Sequence, residues 1–385
     1  MASVNDVLST VMEELKRNPA RKFTYVEMKF FELWYKRQKP EVKQQVKDYM
    51  ANGQLEIVNA GWSMHDEAVP HYEDMINNMY IGHKWLQDEF GVIPRIGWHV
   101  DPFGHSNANP RLFADMNFDA WFFARLDFQD KNERLAKKEM NFLWRPFSEH
   151  FGDEKQIFTS AMRDHYCWPE GFWYDERWYT DDPMVADPDL DTYNADSKLQ
   201  QLLSYIIDME GDYLGDHMFI PFGCDFSFAN ARMNFDQMDL IIEYFNKHNN
   251  QNITTLYSTP EAYIDALYSQ NITWPVKYDD MFPYADNNVD PWTGYYTSRA
   301  LAKKEVREGQ SLLHASNKLF SLKVLDQSAS DEEIKSIKSA NWNILDAMGV
   351  YQHHDGITGT AQQHVADNYH HKLDKARAHV EKVYQ

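Results

Sequence analysis

The sequence predicts an α/β fold in which a parallel sheet, closed or open, is followed by a three-helix bundle. Four units of a strand and a helix follow one another over about the first third of the chain, as in parallel sheets with right-handed crossovers. Near residue 290 the pattern changes to three long helical stretches, which is typical of a helical bundle. A chain of 385 residues can hold both parts, so we predict an α/β domain at 1–290 and a helical domain at 291–385.

The α/β part opens on an amphipathic helix at 4–17, whose apolar residues recur at i, i+3 and i+4. An architecture that begins each unit with a strand would therefore lack its first strand here. Short apolar or β-branched runs that end in turn residues are expected to be strands, and the longer periodic runs between them helices. The predicted strands are 23–28, 54–62, 95–100 and 120–124, and the predicted helices between them are 31–52, 71–90 and 109–116.

Beyond residue 127 the pattern weakens, and long loops with one helix near 195–209 are expected up to residue 215. Ser330 and Glu333, and again Thr360 and Gln363, have the spacing of a capping box, so each pair is expected to start a helix. The further predicted strands are 218–225 and 253–257, and the further predicted helices are 234–246, 260–269, 300–325, 331–348 and 360–384.

Composition and charge exclude several classes of function. The formal net charge of −21, from 59 acidic and 38 basic residues, opposes binding to a polyanion, so nucleic acid is not an expected partner. No run of about 18 apolar residues is present and the first residues do not form a signal peptide, so no membrane partner is expected. The two cysteines, Cys167 and Cys224, are too few for a disulfide framework or a thiolate metal site, and they leave the compartment open.

The stretch 98–105, WHVDPFGH, is the centre of the candidate site. The strand predicted at 95–100 runs into Asp101, and Pro102 then stops further strand pairing because it has no N–H. Gly104 allows the backbone to turn sharply. Asp101 is therefore expected to stand at a strand end.

The carboxyl ends of parallel strands meet at one edge of a sheet, and Asp66, Asp101 and Arg125 are all expected at that edge. His99 and His105 flank Asp101, and these three residues suit a metal or acid/base site, since zinc takes imidazole and carboxylate ligands from proteins. The alternative interpretation is a turn whose aspartate caps the next helix and whose histidines are only polar.

A second histidine motif, QHHDGITGT at 352–360, lies between the last two predicted helices. Adjacent side chains on such a segment point in different directions, so one of His353 and His354 could reach a metal while the other supports it. The alternative interpretation is a polar loop between helices with a glycine turn.

Seven motifs in one order resemble the retaining class II α-mannosidases of glycoside hydrolase family 38, and the lysosomal type in particular. The resemblance implies a (β/α) barrel-like parallel sheet lacking its first strand. It also implies a zinc-dependent enzyme that hydrolyses terminal α-mannosyl residues of N-glycans and similar oligosaccharides, in the lysosome or secretory pathway; a homo-oligomer is left open. The motifs lie at 61–68, 98–105, 123–131, 223–226, 279–286, 292–299 and 352–360.

The resemblance also implies roles for single residues. A retaining glycosidase needs two carboxyl groups, and by resemblance Asp101 is the nucleophile and a zinc ligand, while Asp225 is the acid/base. His354 matches the zinc-ligand histidine. Zinc would hold two adjacent sugar hydroxyls. The residues that match the sugar site are Phe103, Arg125, Trp292 and Asp355, with Tyr166 on a looser match.

Compared with the family, the chain is expected to be truncated at both ends. The family's catalytic domain begins with a strand that gives zinc a histidine and an aspartate, whereas this chain opens on the helix that would follow it. Asp101 and His354 alone leave zinc two ligands short of its usual four. The alternatives are a catalytically inactive homologue that binds mannose or needs a missing segment, and a zinc hydrolase of the polysaccharide deacetylase kind.

Overall fold

The computed structural model describes residues 2–175, 179–326 and 329–384, which form a mixed α/β structure with parallel strands and many helices. The helices are Ala2–Arg17 (α1), Met28–Tyr35 (α2), Pro40–Ala51 (α3), Tyr72–Phe90 (α4), Ala108–Asp115 (α5), Phe128–Lys137 (α6), Ser148–Phe151 (α7), Ala195–Asp212 (α8), Ala231–His248 (α9), Pro260–Tyr268 (α10), Ala300–Leu325 (α11), Asp331–Tyr351 (α12) and Gln363–Tyr384 (α13). The strands are Phe23–Tyr25 (β1), Leu55–Ile57 (β2), Ile96–His99 (β3), Ala120–Phe123 (β4), Asn141–Trp144 (β5), Ile157–Ala161 (β6), Tyr174–Asp175 (β7), Tyr179–Thr180 (β8) and Val276–Lys277 (β9). None of the described helices is long and apolar enough to span a lipid bilayer.

The first four strands make an almost continuous parallel row. β1 pairs with β2, and a five-stranded sheet has the order β3-β4-β6-β5-β9, in which only the β5–β6 pair is antiparallel. Asn59 links the two sheets, since its N–H donates to the carbonyl of Ile96 at 2.6 Å and its side-chain oxygen accepts from the N–H of Trp98 at 3.2 Å. β7 and β8 form a separate antiparallel pair, and no strand pairing joins β1 to β9 within the described ranges. The carboxyl ends of β1 to β4 therefore share one edge.

β4 lies at the centre of the sheet, and all four of its residues are buried. Its unbroken apolar run is typical of a strand that is covered on both faces. Trp121 stacks on Trp144 at 5.3 Å between ring centroids, and Phe123 lies 6.4 Å from Phe142. This aromatic core fixes the ends of β3 and β4.

The helices α11, α12 and α13 pack on one another around a shared apolar core. That core includes Val306, Leu313, Ile344, Met348, Leu373 and Val380. Gly309 allows a close approach, since a Cβ there would lie 2.7 Å from Sδ of Met348. α12 also contacts the α/β part, where Oγ of Ser63 donates to the carbonyl of Gly349 at 2.7 Å. The segment after α12 is thereby held against the α/β part.

Two of the predicted strands are wrong, because 218–225 and 253–257 belong to none of the described sheets. Pro221 interrupts the first run, since it has no N–H to give to a neighbouring strand. In the second, the backbone of Thr255 bonds to the side chain of Asn246 instead. Its N–H donates to Oδ1 at 2.8 Å, and its carbonyl accepts from Nδ2 at 2.7 Å.

The stretch from 31 to 52 and the stretch from 127 to 215 also differ from prediction. The first is two helices, α2 and α3, because Pro40 begins α3 and cannot continue a preceding helix. The second contains α6, α7 and the strands β5, β6, β7 and β8 as well as the predicted helix, while its residues 176–178 lie outside the described residues. α6 has no buried residue, so no apolar face predicts it.

The strands predicted at 23–28 and 54–62 are only three residues long in the structure, at 23–25 and 55–57, whereas the remaining predicted strands and helices are confirmed apart from small shifts at their ends. The capping box of Ser330 and Glu333 is present at the start of α12. The second capping box is wrong, because α13 begins at Gln363 and Thr360 lies too far ahead of it. Thr360 instead donates from Oγ1 to Oδ1 of Asp355 at 2.6 Å.

Candidate active site

Asp101 and Arg125 meet at the carboxyl ends of β3 and β4. Each follows its strand by two residues, and the two strands pair in parallel with His99 opposite Phe123. Nε of Arg125 donates to the backbone carbonyl of Asp101 at 2.9 Å and to its Oδ1 at 2.7 Å, and Nη2 donates to the same Oδ1 at 2.5 Å. The parallel pairing therefore places a charged pair at this edge, as the sequence predicts.

The other carboxylate oxygen of Asp101 faces His354, in the loop after α12. Nε2 of His354 lies 2.9 Å from Oδ2 of Asp101, and Nδ1 lies 2.9 Å from the carbonyl oxygen of Met64. A carbonyl only accepts, so Nδ1 carries a proton, and Nε2 and the carboxylate need a proton or a cation between them. Burial acts to raise the pKa of Asp101, but His354 and Arg125 outweigh it and lower that pKa below its usual range.

Aromatic rings surround the guanidinium of Arg125. It lies 4.6 Å from the ring centroid of Trp292, 5.5 Å from that of Phe103 and 5.6 Å from that of Tyr284. Phe103 and Trp292 are 5.1 Å apart, and Phe103 also meets the ring of His354 edge-on at 5.8 Å. Cation–π contacts of this kind restrict the guanidinium to one position. Phe103, Arg125, Trp292 and His354 therefore form one wall beside Asp101.

Asp225 belongs to the same electrostatic environment. The hydroxyl of Tyr166 donates to Oδ2 of Asp225 at 3.4 Å. Burial raises the pKa of Asp225, and the negative charge of Asp101 raises it further. A disulfide joins Cys167 to Cys224, which are the neighbours of Tyr166 and Asp225 in the chain. The two carboxyl groups thus have pKa values shifted in opposite directions.

Asp355 and His353 complete the group around His354. The possible ligand atoms of these three residues lie within 4.8 Å of one another. Burial acts to raise the pKa of Asp355, but His353 and His354 outweigh it and lower that pKa to about 2. Oδ2 of Asp355 lies 3.6 Å from Nε2 of His353, and Oδ1 accepts from Thr360. The loop therefore presents an ionised carboxylate beside an imidazole.

His99 and His105 are fully buried and do not extend the group around His354. Nδ1 of His99 donates to Oε1 of Glu67 at 2.7 Å, and Nδ1 of His105 donates to the same oxygen at 2.9 Å. The N–H of Ser106 donates to Oε2 at 2.9 Å. The expectation of ligands at these two histidines is therefore wrong, because both turn into the core and fix the ends of the loop that carries Asp101.

Asp66, also expected at this edge of the sheet, caps a turn. Its Oδ2 accepts from the N–H groups of Ala68 and Val69 at 3.0 and 2.8 Å, so it caps the turn that follows. Its side chain is fully buried, and burial raises its pKa to about 6. Asp66 thus stabilises the turn that follows it.

Three residues of the site were not predicted from the sequence: Glu67, Tyr284 and Asp286. The indole Nε1 of Trp292 donates to Oδ2 of Asp286 at 3.1 Å, and the hydroxyl of Tyr284 donates to Oδ1. Asp286 therefore orients two of the rings around Arg125. The signal was present, since Glu67 lies in the motif 61–68 and the other two lie in 279–286.

Known proteins place the chain in a family. Residues 1–287 match the Glycosyl hydrolases family 38 N-terminal domain, and residues 290–385 match the Alpha mannosidase middle domain. The chain is 41% identical to a lysosomal alpha-mannosidase of Dictyostelium discoideum over 97% of its own length and 36% of that protein. It is 39% identical to an alpha-mannosidase of Canavalia ensiformis over 99% of its length and 38% of that protein.

A solved structure agrees at the level of the fold. An alpha-mannosidase from Enterococcus faecalis V583 aligns with a TM-score of 0.75 and 15% identity, over 99% of this chain and 39% of that one. The chain thus spans little more than a third of the length of the curated relatives it matches. The family that the motifs predict is confirmed: the chain belongs to glycoside hydrolase family 38.

Proposed function

We propose that the chain carries the catalytic centre of a zinc-dependent, retaining exo-α-mannosidase that removes terminal α-mannosyl residues from N-glycans and similar oligosaccharides. The observation that carries this proposal is the position of Asp101, whose carboxylate lies between Arg125 and His354 with Asp225 in its electrostatic environment; the pKa is lowered at Asp101 and raised at Asp225. The choice of mannose as the substrate sugar rests on membership of the family and on the names of the relatives. The proposed hydrolysis rests on the two carboxyl groups of Asp101 and Asp225.

In the proposed mechanism, the ionised carboxylate of Asp101 attacks the anomeric carbon as the bond from that carbon to the leaving oxygen breaks. Asp225 gives its proton to the leaving oxygen at the same time. A water molecule then loses a proton to Asp225 and displaces Asp101 from the sugar, which restores both groups. The two displacements retain the configuration at the anomeric carbon.

The side chains at Asp101 supply two of the four ligands that zinc usually takes. The proton on Nδ1 of His354 leaves Nε2 free to bind a metal next to Oδ2 of Asp101, and a second-layer carbonyl, that of Met64, fixes the ring. The ligand atoms of His353 and Asp355 lie within 4.8 Å of that of His354. We propose Asp101 and His354 as ligands. Bound zinc would supply Lewis-acid polarisation and orientation of two adjacent sugar hydroxyls.

The sugar is proposed to lie against the wall formed by Phe103, Arg125, Trp292 and His354. Aromatic rings pack on the apolar faces of sugars, and Phe103 and Trp292 are the candidates for that contact; Trp292 is half-buried, whereas Phe103 is buried and packs against it. The low pKa of Asp355 keeps its carboxylate ionised and able to accept hydrogen bonds from hydroxyls. Tyr166 is proposed to bind next to the leaving oxygen because it donates to Asp225.

We also propose the finer organisation of the chain. A barrel-like α/β domain at 1–290 and a three-helix bundle at 291–385 are supported by the two family matches, 1–287 and 290–385, and by the shared core of α11 to α13. A lysosomal or secretory location is supported by the names of the lysosomal relatives. The disulfide fits such an oxidising compartment.

The proposal is tested by release of mannose from an aryl α-mannoside and from mannose oligosaccharides. Asp101→Asn should lower the rate by about 1,000-fold or more, as expected for a nucleophile, while binding of mannose is retained. Asp115→Asn, at the surface end of α5, is the matched control and should leave the rate unchanged. NMR of the first product should show the α-anomer.

Two outcomes contradict the proposal and identify its rivals. Mannose binding without turnover by the unmodified protein indicates a non-catalytic homologue. Release of acetate from acetylated sugars without release of mannose indicates a deacetylase.

A further inference from the structure

The two cysteines of the chain form a disulfide that ties together two candidate active-site residues. Cys167 and Cys224 are 57 positions apart in the sequence. Cys167 directly follows Tyr166, and Cys224 directly precedes Asp225. The covalent bond therefore lies one residue away from the hydrogen bond between Tyr166 and Asp225.

The segment that carries Asp225 has little regular backbone support. Residues 218–225 join none of the described sheets, and the turn after them places two bulky residues in the left-handed region, Phe226 at φ 57° and Phe228 at φ 68°. Large side chains rarely adopt such φ values, so the surrounding contacts must hold them there. The position of Asp225 thus depends on contacts made from outside its own segment.

Thr10, Phe23 and Asp175 supply some of those contacts to Phe228, and the segment after Tyr166 supplies others. The indole of Trp168 stacks on the ring of Phe228 at 5.7 Å and meets Phe222 edge-on at 5.2 Å. Its Nε1 also donates to Oγ of Ser227 at 3.4 Å. Along the first segment Tyr166 and Trp168 flank Cys167, and along the second Asp225 directly follows Cys224 and precedes Ser227 and Phe228. The disulfide is the covalent link between them.

We propose that the Cys167–Cys224 disulfide is a positioning device for the proton donor: it holds Asp225 against Tyr166 in reach of the leaving oxygen. This inference rests on the proposed function. A dithiol cleaves the bond by passing two electrons and two protons to the two sulfurs while it closes to its own disulfide. The cleaved protein then keeps its sugar wall but protonates the leaving oxygen less well.

The test compares substrates that need the proton to different extents. A 2,4-dinitrophenyl α-mannoside releases a stable phenolate and needs little protonation, whereas α-mannobiose releases a sugar alkoxide and needs a proton donor. In Cys167→Ser/Cys224→Ser, and in dithiothreitol-treated wild type, kcat/KM on mannobiose should fall about 30-fold. On the dinitrophenyl substrate it should fall less than about 3-fold. kcat/KM is chosen because it reports the step in which the leaving group departs.

The double variant is its own control, since dithiothreitol should have no further effect on it. Equal losses on both substrates would show a merely structural disulfide and overturn the inference. Free thiols at Cys167 and Cys224 in an alkylation map of the untreated protein would overturn it as well.

If the untreated protein releases mannose from neither substrate, the proposed function fails, and a measurement without turnover decides the inference. Amide hydrogen exchange at Ser227 and Phe228 should then become faster after reduction. Exchange that is unchanged by reduction overturns the positioning role.

Discussion

Glu67 is a single buried carboxylate on which the loop of Asp101 depends. Its side chain is fully buried, and it accepts hydrogen bonds from His99, His105 and the N–H of Ser106. Burial raises the pKa of Glu67 well above its usual value, and the hydrogen bond from Ser106 opposes that shift only in part. A buried carboxyl group changes the free energy of unfolding little while all its hydrogen-bond partners are present. Removal of the carboxyl group or of its partners lowers that free energy strongly.

Glu67→Ala should therefore strongly destabilise the fold, because it leaves three buried N–H groups without an acceptor. We expect a loss of about 3–5 kcal/mol in the free energy of unfolding, measured by urea denaturation. Glu67→Gln keeps one acceptor oxygen and should lose less. Glu133→Ala, on a side chain that is 63% exposed, is the control and should change the value by no more than about 0.5 kcal/mol. Equal effects at both positions would contradict this account.

Some contacts between residues of the candidate site could be predicted from the sequence. Asp101 and Arg125 could be predicted to meet, because parallel strands end at one edge whatever their side chains. The contact between Asp101 and His354 could not be read from spacing, since 253 residues separate them, and only the family resemblance pointed to it. Glu67 was missed because a glutamate after an aspartate is usually solvated, and only the fold buries it.

At the scale of the element, α4 carries an unusual first turn. Asp74 is 1% exposed, and neither of its carboxyl oxygens has a hydrogen-bond partner among the described residues. Burial raises its pKa to about 7; Arg307 opposes the shift and Glu73 adds to it. The helix therefore holds a carboxyl group that prefers to be protonated.

Asp74→Asn should remove a pH dependence of stability. The pKa of Asp74 is higher in the folded state than the value of about 3.9 in unfolded chains, so its stabilising contribution is present below that value and is lost as the pH rises through about 7. Relative to the variant, the wild type should lose about 2 kcal/mol of unfolding free energy between about pH 5 and about pH 7.5.

The matched control for this prediction is Asp88→Asn, near the other end of α4. The side chain of Asp88 is 62% exposed, and the difference between this variant and the wild type should stay nearly constant over the same pH range. A constant difference for Asp74→Asn as well would contradict the prediction.

The elements that sequence reasoning found are those with strong local patterns. β4 is a run of four buried apolar residues, and α12 begins with a capping box, so both could be predicted. α6 was missed because it buries no residue, and its start depends on Asp127, which accepts from the N–H groups of Gln129 and Asp130. The stretch 218–225 was mistaken for a strand because its residues suit a strand. It pairs with no strand of the described sheets.

At the scale of the whole molecule, the α/β part and the last three helices are joined through the site. Nε1 of Trp62 donates to Asp346 at 2.8 Å, and the N–H of Asp66 donates to the carbonyl of Gln352 at 2.9 Å. His354 bonds to Met64 through both its N–H and its Nδ1. The two parts therefore share buried polar contacts as well as an apolar surface.

The chain should consequently unfold in one transition. In scanning calorimetry, the ratio of calorimetric to van't Hoff enthalpy should be close to about 1. Trp62→Phe, which removes the hydrogen bond to Asp346, should lower the midpoint of that transition without splitting it. Two separate transitions in the unmodified protein would contradict this view of the interface.

The separation of Asp101 and His354 along the chain also bears on how the protein folds. A contact that closes a loop of this length is entropically slow to form, and domains are completed from the N-terminus during synthesis. Asp101 is in place once β3 and β4 pair, whereas His354 arrives only after α12 has been made and docked. The contact between Asp101 and His354 therefore forms after the contact between Asp101 and Arg125, and the candidate site is assembled only once the loop after α12 has docked.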